Sequence, residues 1–356
     1  MAKAKAERPK SRWWENPEAW GKALANLQRF VTEDVPIEPT PKQPIWSYNK
    51  AVVYHYPTER PTERPPVLIV PWPAISRSFP FDLLPGRSFT EYLVAHGQRT
   101  YKIDWLGLGG YGPEDADLDF EYFVHVIHRS VDRVRRHSGA PRVKLLGYCL
   151  GVTLAAIYAA LHAERLHALV VAAGPVDFSD IGPFAQWTDE RYFQLEQLLR
   201  TYDLVPAEFV RVGFQMLNPS LDLRASVDLF ENLASDRFVE MNTALRKWSS
   251  EWIPFPGAFF RRLIRDLYQQ NKLVKGEFAI HGQAVDLRRI TCPVLAFCAQ
   301  TDNIAPPWTT EGLLKHVDSA VKEAITVPGG HVRFLTGGPS VERLWDRVMA
   351  WPERTT

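Results

Sequence analysis

The sequence predicts an α/β protein: a doubly wound, mostly parallel sheet with a helical cap inserted between two of its strands. Three observations carry that expectation. Short unbroken apolar runs alternate with helical patterns, as parallel strands buried on both faces and their crossover helices require. The rhythm stops after Pro175, gives way over 178–288 to aromatic-rich helical periodicity, and then resumes. One strand runs directly into Gly147-Tyr148-Cys149-Leu150-Gly151 at the start of a helix.

Taken in order, residues 1–12 carry five Lys/Arg and one Glu and read as a solvated basic tail. Residues 16–32 have a helical pattern, with Asn16 placed as N-cap and Pro17 at the first helical position. Pro36, Pro39, Pro41 and Pro44 forbid helix and predict an extended linker. A strand over 51–56 follows, and the tandem Thr58-Glu-Arg-Pro-Thr-Glu-Arg-Pro65 reads as a hairpin loop after it. Apolar runs at 67–70, 100–103, 143–146, 169–172, 293–297 and 324–327 predict strands. Helical patterns at 88–96, 118–136, 152–162, 309–316 and 340–351 predict the helices between them, joined by right-handed crossovers. The organisation expected is a tail, helix and linker over 1–45, a sheet core from 46–177 and 289–356, and a cap from 178–288 over the strand ends.

Composition narrows the functional class. The chain has 356 residues, 46% hydrophobic and 23% charged, ordinary values for a globular protein with a large core. Lys+Arg exceed Asp+Glu by 42 − 41 = 1, which removes a charge-driven case for nucleic acid as the main partner. Three cysteines, Cys149, Cys292 and Cys298, are too few for a disulfide framework and fit a reducing cytoplasm. No apolar run approaches the roughly 18 residues of a membrane span, and the N-terminus lacks the apolar core of a secretory signal.

The chemistry concentrates at Cys149. Gly-x-Cys-x-Gly at a strand-to-helix turn is the frame of a nucleophile elbow, with cysteine where serine is usual. The glycines are required because side chains two positions either side of the nucleophile would strike the neighbouring strand and helix. The helix N-terminus beneath the sulfur favours thiolate, the reactive form, and the Leu150 N–H points to where an oxyanion would develop. The bland alternative is a small buried core cysteine beside two packing glycines. Its partners weigh against that. In such sites the acid and then the histidine follow the nucleophile along the chain, each at the carboxyl end of a strand. Asp302 follows strand 293–297, and His331 follows strand 324–327 in Val327-Pro-Gly-Gly-His331. A turn aspartate and a surface imidazole are the alternatives for these two. A second oxyanion N–H is expected from Pro71-Trp-Pro-Ala-Ile-Ser-Arg77, from Ile75 or Ala74.

With these residues in place, the chain resembles the catalytic subunits of polyhydroxyalkanoate synthases of the α/β-hydrolase superfamily, especially the short kind that works with a second subunit. The matching stretches include Leu68-Ile-Val-Pro71, Ile103-Asp-Trp105, Leu145-Leu-Gly-Tyr-Cys-Leu-Gly151, Pro175-Val-Asp-Phe178, Asp266-Leu-Tyr-Gln-Gln-Asn-Lys-Leu273, Val285-Asp-Leu287, Ile290-Thr-Cys-Pro-Val-Leu295 and Pro328-Gly-Gly-His331. The resemblance implies Cys149, Asp302 and His331 as catalytic triad, and a 3-hydroxyacyl-coenzyme A substrate whose coenzyme A is the leaving group, with no separate cofactor and no metal. It also implies a growing polyester as product, a second synthase subunit, homodimerisation, and a cytoplasmic place on polyester granules. Two departures stand out: Gly151 is followed by Val152 where the family has a second glycine, and Ser76 stands where the oxyanion-side loop has asparagine.

Cysteine suits this chemistry, because moving an acyl group between two thiols is nearly thermoneutral and keeps it activated for transfer to an alcohol. His331 would take the thiol proton, and His331 with or through Asp302 would serve the 3-hydroxyl. Water must be kept out, a task for the cap and its Trp187, Trp248, Trp252, Phe255, Phe259, Phe260 and Tyr268, although ordinary core packing would explain most of them. Rival readings are an acyl-CoA thioesterase or polyester depolymerase on the same scaffold, and a non-catalytic granule-associated subunit. Other signals carry less. Gly107-Leu-Gly-Gly-Tyr-Gly112 fits a dinucleotide fingerprint but opens into acidic residues rather than a helix. His125 and His128 share a helix face without a third ligand at metal spacing, and Cys292 and Cys298 read as inert core.

Overall fold

The computed structural model describes residues 12–353. The basic tail, up to residue 11, lies outside the described residues. At the centre is an eight-stranded sheet made of β1 (Gln43–Tyr48), β2 (Ala51–Tyr56), β3 (Val67–Val70), β4 (Thr100–Asp104), β5 (Val143–Tyr148), β6 (Leu166–Ala172), β7 (Val294–Ala299) and β8 (Lys322–Val327). The spatial order is β1-β2-β4-β3-β5-β6-β7-β8. The β1–β2 and β2–β4 pairings are antiparallel, and the rest are parallel. Every residue of β3, β5 and β7 is buried, which is why these strands read as continuous apolar runs.

Helices cover both faces. In α1 (Pro17–Thr32) the Asn16 side chain accepts from the Glu18 N–H, as the N-cap reading required. Ser88 caps α2 (Phe89–Ala95) by accepting from the Glu91 N–H, and α3 (Phe120–Ser138) ends at Gly139 in the left-handed conformation. Helix α4 (Leu150–His162) is buried all round from Leu150 to Ala160, the environment of a helix enclosed by the fold.

Three sequence expectations are corrected. Thr58 to Pro65 is not a hairpin loop: β2 pairs with β1 and β4, and β3 lies beyond β4, so this segment carries the chain past β4. The linker is shorter than the prolines suggested. Gln43–Tyr48, Pro44 included, forms edge strand β1, where proline is tolerated. The single helix expected over 309–316 is two short ones, Pro307–Glu311 and Leu313–His316.

Between β6 and β7 lie α5 (Pro183–Trp187), α6 (Leu195–Thr201), α7 (Ala207–Leu217), α8 (Leu221–Glu231), α9 (Asp236–Ser250) and α10 (Gly257–Arg262), then a π-helical turn, Leu263–Gln269. Two short ladders tie this block together and down: Leu204–Val205 with Phe255–Pro256, and Trp252–Ile253 with Ile75–Ser76 of the loop after β3. Helix α1 joins the same block: Ala23 packs with Leu233 and Val239, and Asn26 Nδ2 donates to the Leu233 carbonyl and Asp236 Oδ1. Among the described residues, no helix is long and apolar enough to cross a membrane.

Candidate active site

Strand β5 delivers Cys149 to the carboxyl edge of the sheet, and α4 begins at the next residue. Cys149 sits at φ 54°, ψ −130°, a backbone conformation that costs energy and persists only where the surroundings enforce it. The enforcement is visible in the glycines. A Cβ on Gly151 would lie 2.0 Å from the Val70 carbonyl oxygen, so α4 crosses β3 at backbone distance. A Cβ on Gly174, just past β6, would meet the Cys149 carbonyl oxygen at 2.1 Å and the Val152 Cβ at 2.7 Å. Val152 is fully buried and fits because residue 174 has no side chain.

Gly151→Ala should therefore destabilise the fold by about 1–3 kcal/mol or more. Thermal unfolding beside Gly21→Ala is the check. Gly21 has nothing within 4 Å of its Cβ position and lies inside α1, so that change should be neutral or stabilising.

Asp302 lies just beyond β7 with its side chain fully buried. Its Oδ1 accepts the N–H groups of Ile304 and Ala305, both at 2.9 Å, and its Oδ2 is 2.8 Å from His331 Nδ1. Three partners satisfy the buried carboxylate and fix its orientation. His331 begins the 3-10 turn His331–Phe334 after β8. With Nδ1 donating to Asp302, Nε2 is the ring nitrogen left for Cys149. Burial works against a charged imidazole, but the Asp302 carboxylate and then the Cys149 sulfur outweigh it and push the His331 pKa up to about 10. Cys149, Asp302 and His331, expected from the sequence as a triad, lie together at the carboxyl edge of the sheet and interact electrostatically.

Two supporting residues escaped the sequence reading. The Tyr148 hydroxyl donates to the His331 carbonyl oxygen, tying the histidine turn to the elbow. The signal was available, since Tyr148 is the variable residue of the elbow frame, but its partner is 183 residues away. Trp72 Nε1 donates to Ser76, 2.7 Å to its carbonyl and 3.2 Å to Oγ, so the Ser76 hydroxyl is engaged in holding the loop after β3. On that loop Ile75 adopts φ 89°, a strained value for a β-branched residue, and lines the same cavity as Cys149 and Leu150.

Cys149 opens into a chamber of about 280 Å³ between sheet edge and cap. Among the described residues, no charged side chain or histidine lines it. Of the aromatics singled out in the sequence, Trp187, Phe255, Phe260 and Tyr268 face this chamber. Trp248, Trp252 and Phe259 pack elsewhere, Trp248 donating to the Arg77 carbonyl and Phe259 meeting Phe120 and Phe123.

The weaker signals resolve as structure. No α-helix opens at Gly107–Gly112: the Tyr111 hydroxyl donates to the Pro73 carbonyl, and Pro113–Asp115 forms a 3-10 turn held by Lys50. His128 packs on His162 while His125 lies against Tyr48. Burial pushes the Cys292 and Cys298 thiols up to about 11 and about 12, the protonated and unreactive form.

Comparison with known proteins places this arrangement. A family model described as the alpha/beta hydrolase fold matches residues 65–338. The poly(3-hydroxyalkanoate) polymerase subunit PhaC of Allochromatium vinosum is 31% identical over 93% of this chain and 93% of its own length. The chain belongs to the PhaC family. The PhaC subunit of Haloferax mediterranei is likewise 31% identical, over 95% of this chain and 69% of its own length, and that of Synechocystis 27% identical over 92% and 88%. Among solved structures, the monoacylglycerol lipase of Paleococcus ferrophilus superposes with a TM-score of 0.52 at 16% identity, covering 84% of this chain and 97% of the lipase. BpoC of Mycobacterium tuberculosis, described as a non-heme bromoperoxidase, gives 0.54 at 15% identity, covering 86% and 97%. At those identities the likeness is one of fold, and it is the PhaC relatives that bear on activity.

Proposed function

We propose that the chain is a polyhydroxyalkanoate synthase that polymerises 3-hydroxyacyl groups from coenzyme A thioesters into a polyester, through a covalent intermediate on Cys149. The observation that carries this reading is the buried Asp302–His331 pair acting on the elbow cysteine, in a chain of the PhaC family.

The steps balance without a cofactor or metal. With the proton resting on His331, the Cys149 sulfur attacks the thioester carbonyl. The oxyanion is held by the N–H groups of Leu150 and Ile75. The carbon–sulfur bond to coenzyme A breaks, and the leaving thiol takes the His331 proton. His331, now neutral, accepts the proton of a 3-hydroxyl at the chain end as that oxygen attacks the acyl-cysteine. The ester forms, the bond to Cys149 breaks, and the thiolate and imidazolium are restored. An apolar chamber holds water away from the acyl-enzyme, which separates a synthase from a thioesterase.

The test supplies 3-hydroxybutyryl-CoA and measures both free thiol and insoluble polymer. Polymer with stoichiometric thiol supports the reading; thiol without polymer means a hydrolase; neither, even with a partner subunit present, means a non-catalytic role.

The reading extends to a second synthase subunit, to homodimerisation and to a place on polyester granules. Phe209, Val212 and Met216 of α7 are exposed and also line the chamber, so a partner gripping α7 would change access to Cys149. The purified chain alone is expected to show a lag before polymer forms, shortened by the partner. Lag-free full activity from the isolated chain contradicts that expectation.

A further inference from the structure

The chamber has almost no polar lining, yet the proposed substrate differs from an ordinary acyl thioester by one hydroxyl. A hydroxyl buried without a partner is penalised, so a chamber that selects it must offer a hydrogen-bonding group near the thioester carbon. Among the described residues, two with side-chain hydroxyls line the cavity, Thr188 and Tyr268. Thr188 has its one side-chain donor committed: its Oγ1 donates to the Phe184 carbonyl, and its own carbonyl accepts from Gln269 Nε2. Tyr268 remains, and among the described residues no hydrogen bond involves its hydroxyl.

Its placement is built in. Tyr268 lies in the π-helical turn Leu263–Gln269, and such turns re-aim side chains that a regular helix would point elsewhere. The turn is anchored by Asp266, which accepts from Arg262, Arg265 and Lys272. The ring is held between Phe178 and Phe184, at 5.1 and 6.0 Å between centroids. Burial first, and then the negative charge of Cys149, push the phenol pKa up, so Tyr268 stays a neutral donor and stands within electrostatic reach of the nucleophile.

We infer that the Tyr268 hydroxyl hydrogen-bonds the 3-hydroxyl of the acyl group on Cys149 and so selects 3-hydroxyacyl over plain acyl thioesters. This rests on the synthase reading above. The experiment is single-turnover acylation, quenched and read by intact mass, with 3-hydroxybutyryl-CoA and butyryl-CoA at subsaturating concentration. The wild-type chain should acylate at least about tenfold faster with the hydroxylated substrate, as sites built to pair a hydroxyl do. Tyr268→Phe should lose about tenfold or more on 3-hydroxybutyryl-CoA and change less than about twofold on butyryl-CoA. Alkylation of Cys149 by iodoacetamide should be unchanged, showing that the nucleophile is intact. Equal losses on both substrates would make Tyr268 a packing residue and overturn the inference, as would no loss on either. Equal wild-type rates overturn it whatever the variant does. Failure of the wild-type chain to acylate with either substrate, even with a partner subunit present, contradicts the synthase reading itself.

Discussion

Cys149→Ala is expected to abolish release of coenzyme A from 3-hydroxybutyryl-CoA, a loss on the order of 10⁴-fold or more, because it removes the sulfur proposed to form the acyl-enzyme. The remaining cysteines are buried with thiols pushed up to about 11 and about 12 and cannot substitute. The fold should survive, since alanine fits wherever cysteine does, and an unchanged unfolding temperature checks this. Cys149→Ser keeps the shape but replaces a thiol with a hydroxyl, a far weaker nucleophile near neutral pH, so little activity should remain. Continuous thiol detection measures both. Wild-type-like turnover in the alanine variant removes Cys149 from the mechanism.

Asp302→Asn separates the two halves of the reaction. An attack by sulfur needs little help from a base, whereas an attack by a 3-hydroxyl needs a strong one. Without the carboxylate, the His331 pKa falls from about 10 toward its ordinary 6.5. Elongation should drop about 100-fold and the first acylation less than about tenfold, so acyl-enzyme accumulates. Equal loss of both steps reduces Asp302 to an orienting role. The same pair sets a pH dependence of stability. A histidine pKa raised from 6.5 in the unfolded chain to about 10 in the folded one contributes stability that is complete below 6.5 and lost as pH rises through about 10. The asparagine variant should therefore be destabilised most at pH 6 and progressively less toward about pH 10, as urea titrations at several pH values would show.

The sheet was legible in the sequence wherever strands are buried on both faces, since Val67–Val70, Val143–Tyr148 and Val294–Ala299 have no exposed residue to interrupt the apolar run. Edge strand β1 was not, because Gln43, Pro44, Ser47 and Tyr48 are exposed and a proline breaks the pattern. The candidate site residues were legible because a strained turn restricts which residues surround it, so glycines at 147 and 151 mark Cys149, while strand ends mark Asp302 and His331. The supports were not. Nothing local marks Gly174 as the space that admits Val152, or joins Tyr148 to the His331 carbonyl, because both contacts depend on strands adjacent only after folding. Likewise a tyrosine in an aromatic-rich helical segment reads as core bulk, and nothing local shows that Tyr268 lies in a π-helical turn and lines the chamber.

The central claim is that His331 and Asp302 serve a nucleophilic Cys149 that carries the growing chain's next unit. Its most direct test is to mix the wild-type chain with 3-hydroxybutyryl-CoA, quench within one turnover, digest with a protease active in acid, and locate the added mass. A 3-hydroxybutyryl group on the peptide containing Cys149, labile to hydroxylamine as a thioester is, and absent from Cys149→Ala, is the expected result. Coenzyme A release with no acyl group on Cys149, or with the group on another residue, contradicts the claim.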